Sequence, residues 1–160
     1  MGTGRKSEKA GQFALERGAS ADAILESISD GVFTVDLDWR ITSFNRAAEA
    51  ITGIRRAEAL GRPCSAVFRS SMCESACALK STLDDARPII NKAGFIIRSD
   101  GERVPISVST AVLRDAAGRV VGGAETFRDL SEVEALRREL RGKFQIGDLM
   151  VIDDHINFFP

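Results

Sequence analysis

Residues 24–53 read ILESISDGVFTVDLDWRITSFNRAAEAITG, and their periodicity changes twice. Ile24, Leu25 and Ile28 recur at helical spacing, Ser20 stands upstream as an N-cap, and Asp22 falls where a carboxylate favours the first turn. That pattern stops at Asp30-Gly31. Phe33, Val35 and Leu37 then alternate with smaller or polar residues, Asp38-Trp39 turns the chain, and Arg40 to Phe44 supplies a second strand, which predicts a hairpin. Asn45 caps the next helix, RAAEAITG, closed by Gly53, and RRAEALGRP gives a short helical turn ended by Gly61 and Pro63.

The second half returns to strands. In NKAGFIIRSDGERVPISVSTAVL, residues 91–113, Asp100-Gly101 separates two strand-like runs, and Val104, Ile106, Val108 and Val112 share one face at period two. Asp115 to Gly118 turns the chain into RVVGGAETFRDL. Asp129 with Glu132 resembles a capping box for LSEVEALRREL, whose Leu130, Val133, Leu136 and Leu140 trace an apolar stripe.

Helix, two strands, several short helices, three antiparallel strands and an exit helix is an α+β order. Carried by residues 24–53 and by GERVPISVSTAVLRDAAGRVVGGAETFRDLSE at 101–132, it resembles the PAS sensory domain over residues 21–140. The resemblance implies a five-stranded antiparallel sheet with short helices on one face and flanking N- and C-terminal helices. It also implies coupling to an output domain. The expected organisation is a flexible N-terminal segment over 1–19, a PAS-like domain over 20–130, an exit helix over 131–142, and a tail over 143–160 whose origin the pattern leaves open.

All three cysteines fall in CSAVFRSSMCESACAL, residues 64–79, at spacing Cys-x8-Cys-x3-Cys. A helix starting at Cys73 would put Cys73 and Cys77 on one face, and the intervening stretch lets Cys64 fold back towards them. Three thiolates suit iron or zinc, so Cys64, Cys73 and Cys77 are the candidate cofactor and metal ligands, for an iron–sulfur cluster or another thiolate-bound metal. The fourth ligand would be Asp84, Asp85, the lone His155, solvent or a partner chain. Cys-x-x-Cys and Cys-x-x-Cys-His are absent, which removes support for thioredoxin-like and c-type haem chemistry. A thiol–disulfide switch and plain packing, with no cofactor, stay open beside the metal reading. The same segment resembles cysteine-containing PAS domains of bacterial enhancer-dependent transcription activators and sensor kinases, which implies redox or metal sensing in transcription regulation.

Net charge is -1, so nothing draws the chain generally to nucleic acid or to an anionic membrane. No apolar run is long enough to span a bilayer and the start has no secretory pattern, so a cytoplasmic location is expected. GTGRKS lacks the spacing of a phosphate-cradling loop, and His155 has no evident nucleophile partner, so no catalysis is expected. A ligand pocket would be lined by Phe33, Val35, Ile51, Phe68, Leu79, Ile97, Val108 and Phe127, with core filling as the competing reading. Homodimerisation is expected through Ile24, Leu25 and Ile28 and through Val133, Leu136 and Leu140, with an output domain or partner protein receiving the signal. A structural dimerisation or interaction module without cofactor is the alternative. A remoter one is a fragment of a nucleotide-handling enzyme: GDLMVIDDHINFFP locally resembles a segment of purine nucleoside phosphorylases.

Overall fold

The computed structural model of the chain describes residues 21–143, 150–152 and 155–157. Expectations that fall on 1–20, 144–149, 153–154 and 158–160, including the cap at Ser20 and much of the tail, lie outside the described residues. The chain divides after Asp129 into two compact units.

In the first unit a helix, α1, covers 21–27, and β1 (Gly31–Asp36) and β2 (Ile41–Phe44) form the expected hairpin. Four short helices follow: α2 (Arg46–Thr52), α3 (Arg56–Ala59), α4 (Cys64–Phe68) and α5 (Ala78–Asp85). Strands β3 (Ile89–Ile97), β4 (Arg103–Arg114) and β5 (Val120–Asp129) complete a five-stranded antiparallel sheet in the order β2-β1-β5-β4-β3. Strand β1 therefore pairs with both its hairpin partner and the last strand, with Gly31 opposite Phe127 and Asp36 opposite Gly122.

Turn chemistry sets the hairpin. The Asp36 carboxylate accepts from the backbone N–H of Asp38 at 2.9 Å and of Arg40 at 3.0 Å, and Trp39 takes a positive φ of 62°. Leu37 was expected in the strand; it lies in this turn instead and is exposed, because Asp36 pulls the chain round one residue sooner.

Asn45 joins three segments. Its side-chain oxygen accepts from Val32 N at 2.8 Å and Ala48 N at 2.9 Å, capping α2, while Nδ2 donates to Leu25 O at 2.9 Å and Asp30 O at 3.1 Å. The end of α1, the start of β1 and the start of α2 are thus fixed by one buried amide.

The helices cover one sheet face. Phe33, Phe68 and Phe127 pack tilted or edge-on to one another, with ring centroids 5.1 Å (33–68), 6.1 Å (33–127) and 4.8 Å (68–127) apart, and Val35, Leu79, Ile106 and Val108 belong to the same core. Burying a side chain of this size is worth about 1.5–3 kcal/mol, so this face carries much of the stability. Two glycines permit the approach. The Phe127 ring occupies the space where Gly31 would carry a Cβ, and Leu79 Cδ1 lies 2.7 Å from the place of one on Gly123.

The second unit contains α6 (Ser131–Lys143) and a two-stranded antiparallel hairpin of β6 (Met150–Ile152) and β7 (His155–Asn157). On α6, Val133, Leu136 and Leu140 are exposed, as are Ile24 on α1 and Ile28 just after it. No described helix is long and apolar enough to cross a membrane.

Candidate functional site

The site is built from α4, the turn-rich stretch after it, and the middle of β5. Cys64 opens α4, its N–H donating to Trp39 O at 2.9 Å. Arg69 ends that helix with φ 43°, and the chain then binds itself to the edge strand β3. Ser71 N donates to Phe95 O at 2.9 Å, Phe95 N returns to Ser71 Oγ at 3.2 Å, and Lys92 Nζ reaches Ala76 O at 2.8 Å. Within the stretch, Cys73 N donates to Ser70 O at 3.1 Å and Ala76 N to Met72 O at 3.1 Å.

This corrects the expected helix from Cys73. The helix starts at Ala78, and Cys77 is its N-cap, with Sγ accepting from Lys80 N at 3.4 Å. The backbone groups of 70–77 are taken up by β3 and by local turns, so Cys73 and Cys77 are not brought together by helical register. They are brought together by the turn: both line a small cavity of about 20 Å³ with Phe68, Ser70, Met72 and Glu125.

Glu125 is the residue that sequence reasoning missed. It stands on β5 between Thr110 of β4 and Phe33 of β1, and it faces the helices with Gly123 and Phe127. Period two from Phe127 places it inward; the signal was there, but a glutamate in a strand reads by type as surface. It is 5% exposed, and burial pushes its carboxyl up to about 8.

Cys64 does not line the cavity but packs against the core cluster, which Cys77, on the cavity wall, also touches. Burial pushes the Cys64 thiol up to about 12, and Cys73, Cys77 and Glu125 add to that in decreasing order. Burial is also the main cause raising Cys73, with Cys77 and Glu125 contributing in the same direction. Four acidic groups therefore share one locality. Among the described residues, no three His, Cys, Asp or Glu side chains stand close enough as placed to hold a metal ion. Asp84, one candidate fourth ligand, is ion-paired with Lys80 at 2.8 Å on an exposed face, and the His155 side chain lies outside the described residues.

Cys73 and Ser70 also border an open groove of about 710 Å³ lined by Ser65, Arg69, Glu74 and Phe95. The groove and the inner cavity thus share Ser70 and Cys73 in their walls. Of the residues expected to line an organic-ligand pocket, Phe33, Val35, Ile51, Phe68, Leu79, Val108 and Phe127 are buried in the core cluster and Ile97 lies on the outer groove.

The family description of the PAS fold matches residues 25–135. The signal transduction histidine-protein kinase AtoS of Escherichia coli is 29% identical over 121 residues, covering 74% of this chain and 19% of that protein. A probable C4-dicarboxylate sensor kinase of Halalkalibacterium halodurans is 26% identical over 138 residues, covering 84% and 23%. The chain therefore spans about a fifth of the length of these relatives. Among solved structures, a PAS domain from Colwellia psychrerythraea superposes with a TM-score of 0.62 at 19% identity, covering 74% of this chain and 98% of that one. The PAS domain of nitrogen regulation protein NR(II) from Vibrio parahaemolyticus gives 0.57 at 16%, covering 68% and 96%.

Proposed function

This chain belongs to the PAS family, whose domain is sensory rather than catalytic, and on that premise we propose that it is the input module of a longer cytoplasmic signalling protein that regulates transcription. The cue is redox poise or metal supply, read at Cys64, Cys73 and Cys77 through a thiolate-bound metal or an iron–sulfur cluster. One observation carries the reading: all three thiols, each half-buried, gather near one buried carboxyl, with Cys73 and Cys77 on the cavity it faces.

The electrostatics favour a cation over a bare thiol switch. A thiolate, not a thiol, attacks oxidants and disulfides, and the raised Cys64 and Cys73 hold their protons at neutral pH. A bound metal reverses that preference by stabilising the thiolate directly. Signal output would pass through a homodimer, for which Ile24 on α1 with Ile28 after it, and separately Val133, Leu136 and Leu140 on α6, offer exposed apolar surface. Those same residues favour the second reading, a dimerisation module without cofactor.

Anaerobic purification with metal and acid-labile sulfide analysis separates the two. Stoichiometric metal that is lost on Cys64→Ser, Cys73→Ser and Cys77→Ser supports the sensor. A metal-free dimer that takes up neither iron nor zinc on reconstitution leaves only the interaction module.

A further inference from the structure

We propose that Glu125 is the fourth donor of the cysteine site, so that Cys64, Cys73, Cys77 and Glu125 together take up one borderline-soft divalent cation, zinc or ferrous iron. The inference rests on reading the cysteines as metal ligands and adds to it a residue from a different element, the central strand β5.

Glu125 is an expensive residue for its position. It stands in the middle of the sheet's covered face, flanked by Phe33 and Phe127, where an apolar side chain would fill the same space at no desolvation cost. Buried carboxyls are ordinarily hydrogen-bonded or paired. Among the described residues, no hydrogen bond or ion pair reaches the Glu125 side chain, and burial alone accounts for its electrostatic state. What it faces is the small cavity that it shares with Cys73 and Cys77. At about 20 Å³ that space suits one water or one small ion, not an organic ligand.

Donor number and type agree. Zinc in closed sites takes four ligands from thiolate, imidazole and carboxylate, and the locality offers three sulfurs and one carboxylate oxygen. Asp84 is a poorer fourth ligand because Lys80 already holds it in the open. Closure is required, since the donors as placed do not share one coordination sphere and Cys64 stands off the cavity wall. The parts that must move are short: a five-residue α4 and the turns at 71–75. Metal binding supplies ordering free energy of this kind. In the binding step each S–H bond gives way to a metal–sulfur bond, the three protons and any carboxyl proton pass to solvent, and no electron is transferred.

The test is anaerobic titration of the metal-free chain with Co²⁺ as probe, followed by Zn²⁺ competition. One Co²⁺ per chain is expected, with thiolate charge-transfer absorption and the intense d–d bands of a tetrahedral site. Glu125→Gln should weaken binding at least about tenfold, because even partners outside the ligand shell cost 10–100-fold, and should alter the d–d bands. Glu125→Cys should keep tight binding and raise the thiolate charge-transfer intensity per cobalt by about a third, as four sulfurs replace three. A Glu125→Gln chain with unchanged affinity and bands, or a Glu125→Cys chain with unchanged charge-transfer intensity, overturns the proposal while the three-cysteine reading stands. A parent chain that binds no Co²⁺ overturns both.

Discussion

Glu125→Gln should stabilise the metal-free chain, and by an amount that depends on pH. In the unfolded chain a glutamate releases its proton near ~4.3. In the folded chain burial holds the Glu125 proton until about 8. Between those values the folded state binds more protons than the unfolded one, so stability falls as pH rises and levels off above about 8. At ~1.36 kcal/mol per pH unit, the full interval has a ceiling of roughly 5 kcal/mol, and at pH 7 roughly 3–4 kcal/mol has already been lost. Gln has the same shape and no charge to bury, so the variant escapes this loss. The neighbouring Cys64 on α4 and Cys73 in the turn stay protonated over the range because both are raised by burial, and Cys77 completes the set of titratable groups facing the site. The assay is urea unfolding of both proteins at pH 5, 6, 7 and 8 with chelator and reductant present. Near pH 5 the two should differ little, and the gap should widen steadily towards pH 8. Parallel stability curves across that range would refute the buried, unpaired carboxyl.

Three further outcomes are expected. Gly31→Ala would place a Cβ inside the space of the Phe127 ring, so it should cost about 1–3 kcal/mol in urea unfolding, and Phe127→Leu in the same background should recover part of it; an unchanged midpoint contradicts the packing. Asn45→Ala should cost about 2–3 kcal/mol by removing the α2 cap and orphaning the buried Val32 N–H, and hydrogen exchange in 21–27 should accelerate; a loss confined to α2 would show that the amide does not hold α1. Leu136→Glu should weaken any self-association by at least about tenfold in sedimentation, with strand content intact, since a carboxylate at an apolar seam must be desolvated. A dimer that tolerates it does not use this stripe.

The hairpin, the three late strands and the exit helix were legible because each rests on local pattern: period two between turn residues for the strands, an apolar stripe for α6. The Asn45 cap was legible for the same reason, though not its second pair of hydrogen bonds, which link residues distant in sequence. The start of α5 was not. Spacing between Cys73 and Cys77 fits a helix, but the backbone around them bonds to β3, and nothing local announces a partner more than twenty residues away. Glu125 shows the opposite failure: its position was readable by counting from Phe127, and its residue type concealed it. The cysteines were identifiable as a cluster, whereas their neighbourhood depends on a tertiary contact between a turn and a strand at the other end of the sheet's sequence.

The pairing of β1 with β5 has a consequence for synthesis. Gly31 lies opposite Phe127, so the centre of the sheet is assembled from the first and last strands of the domain. A growing chain that has only reached β4 holds a β1–β2 hairpin with one bare edge, and a β3–β4 hairpin with another, and no strand to join them. Glu125 and Phe127 arrive with that joining strand. Both the phenylalanine cluster and the acid beside the cysteines therefore come into being in the same late event, and until then the two hairpins expose edges open to mispairing. Folding on the ribosome is obliged to wait for β5, and a chain stopped before residue 120 has neither a finished core nor a site.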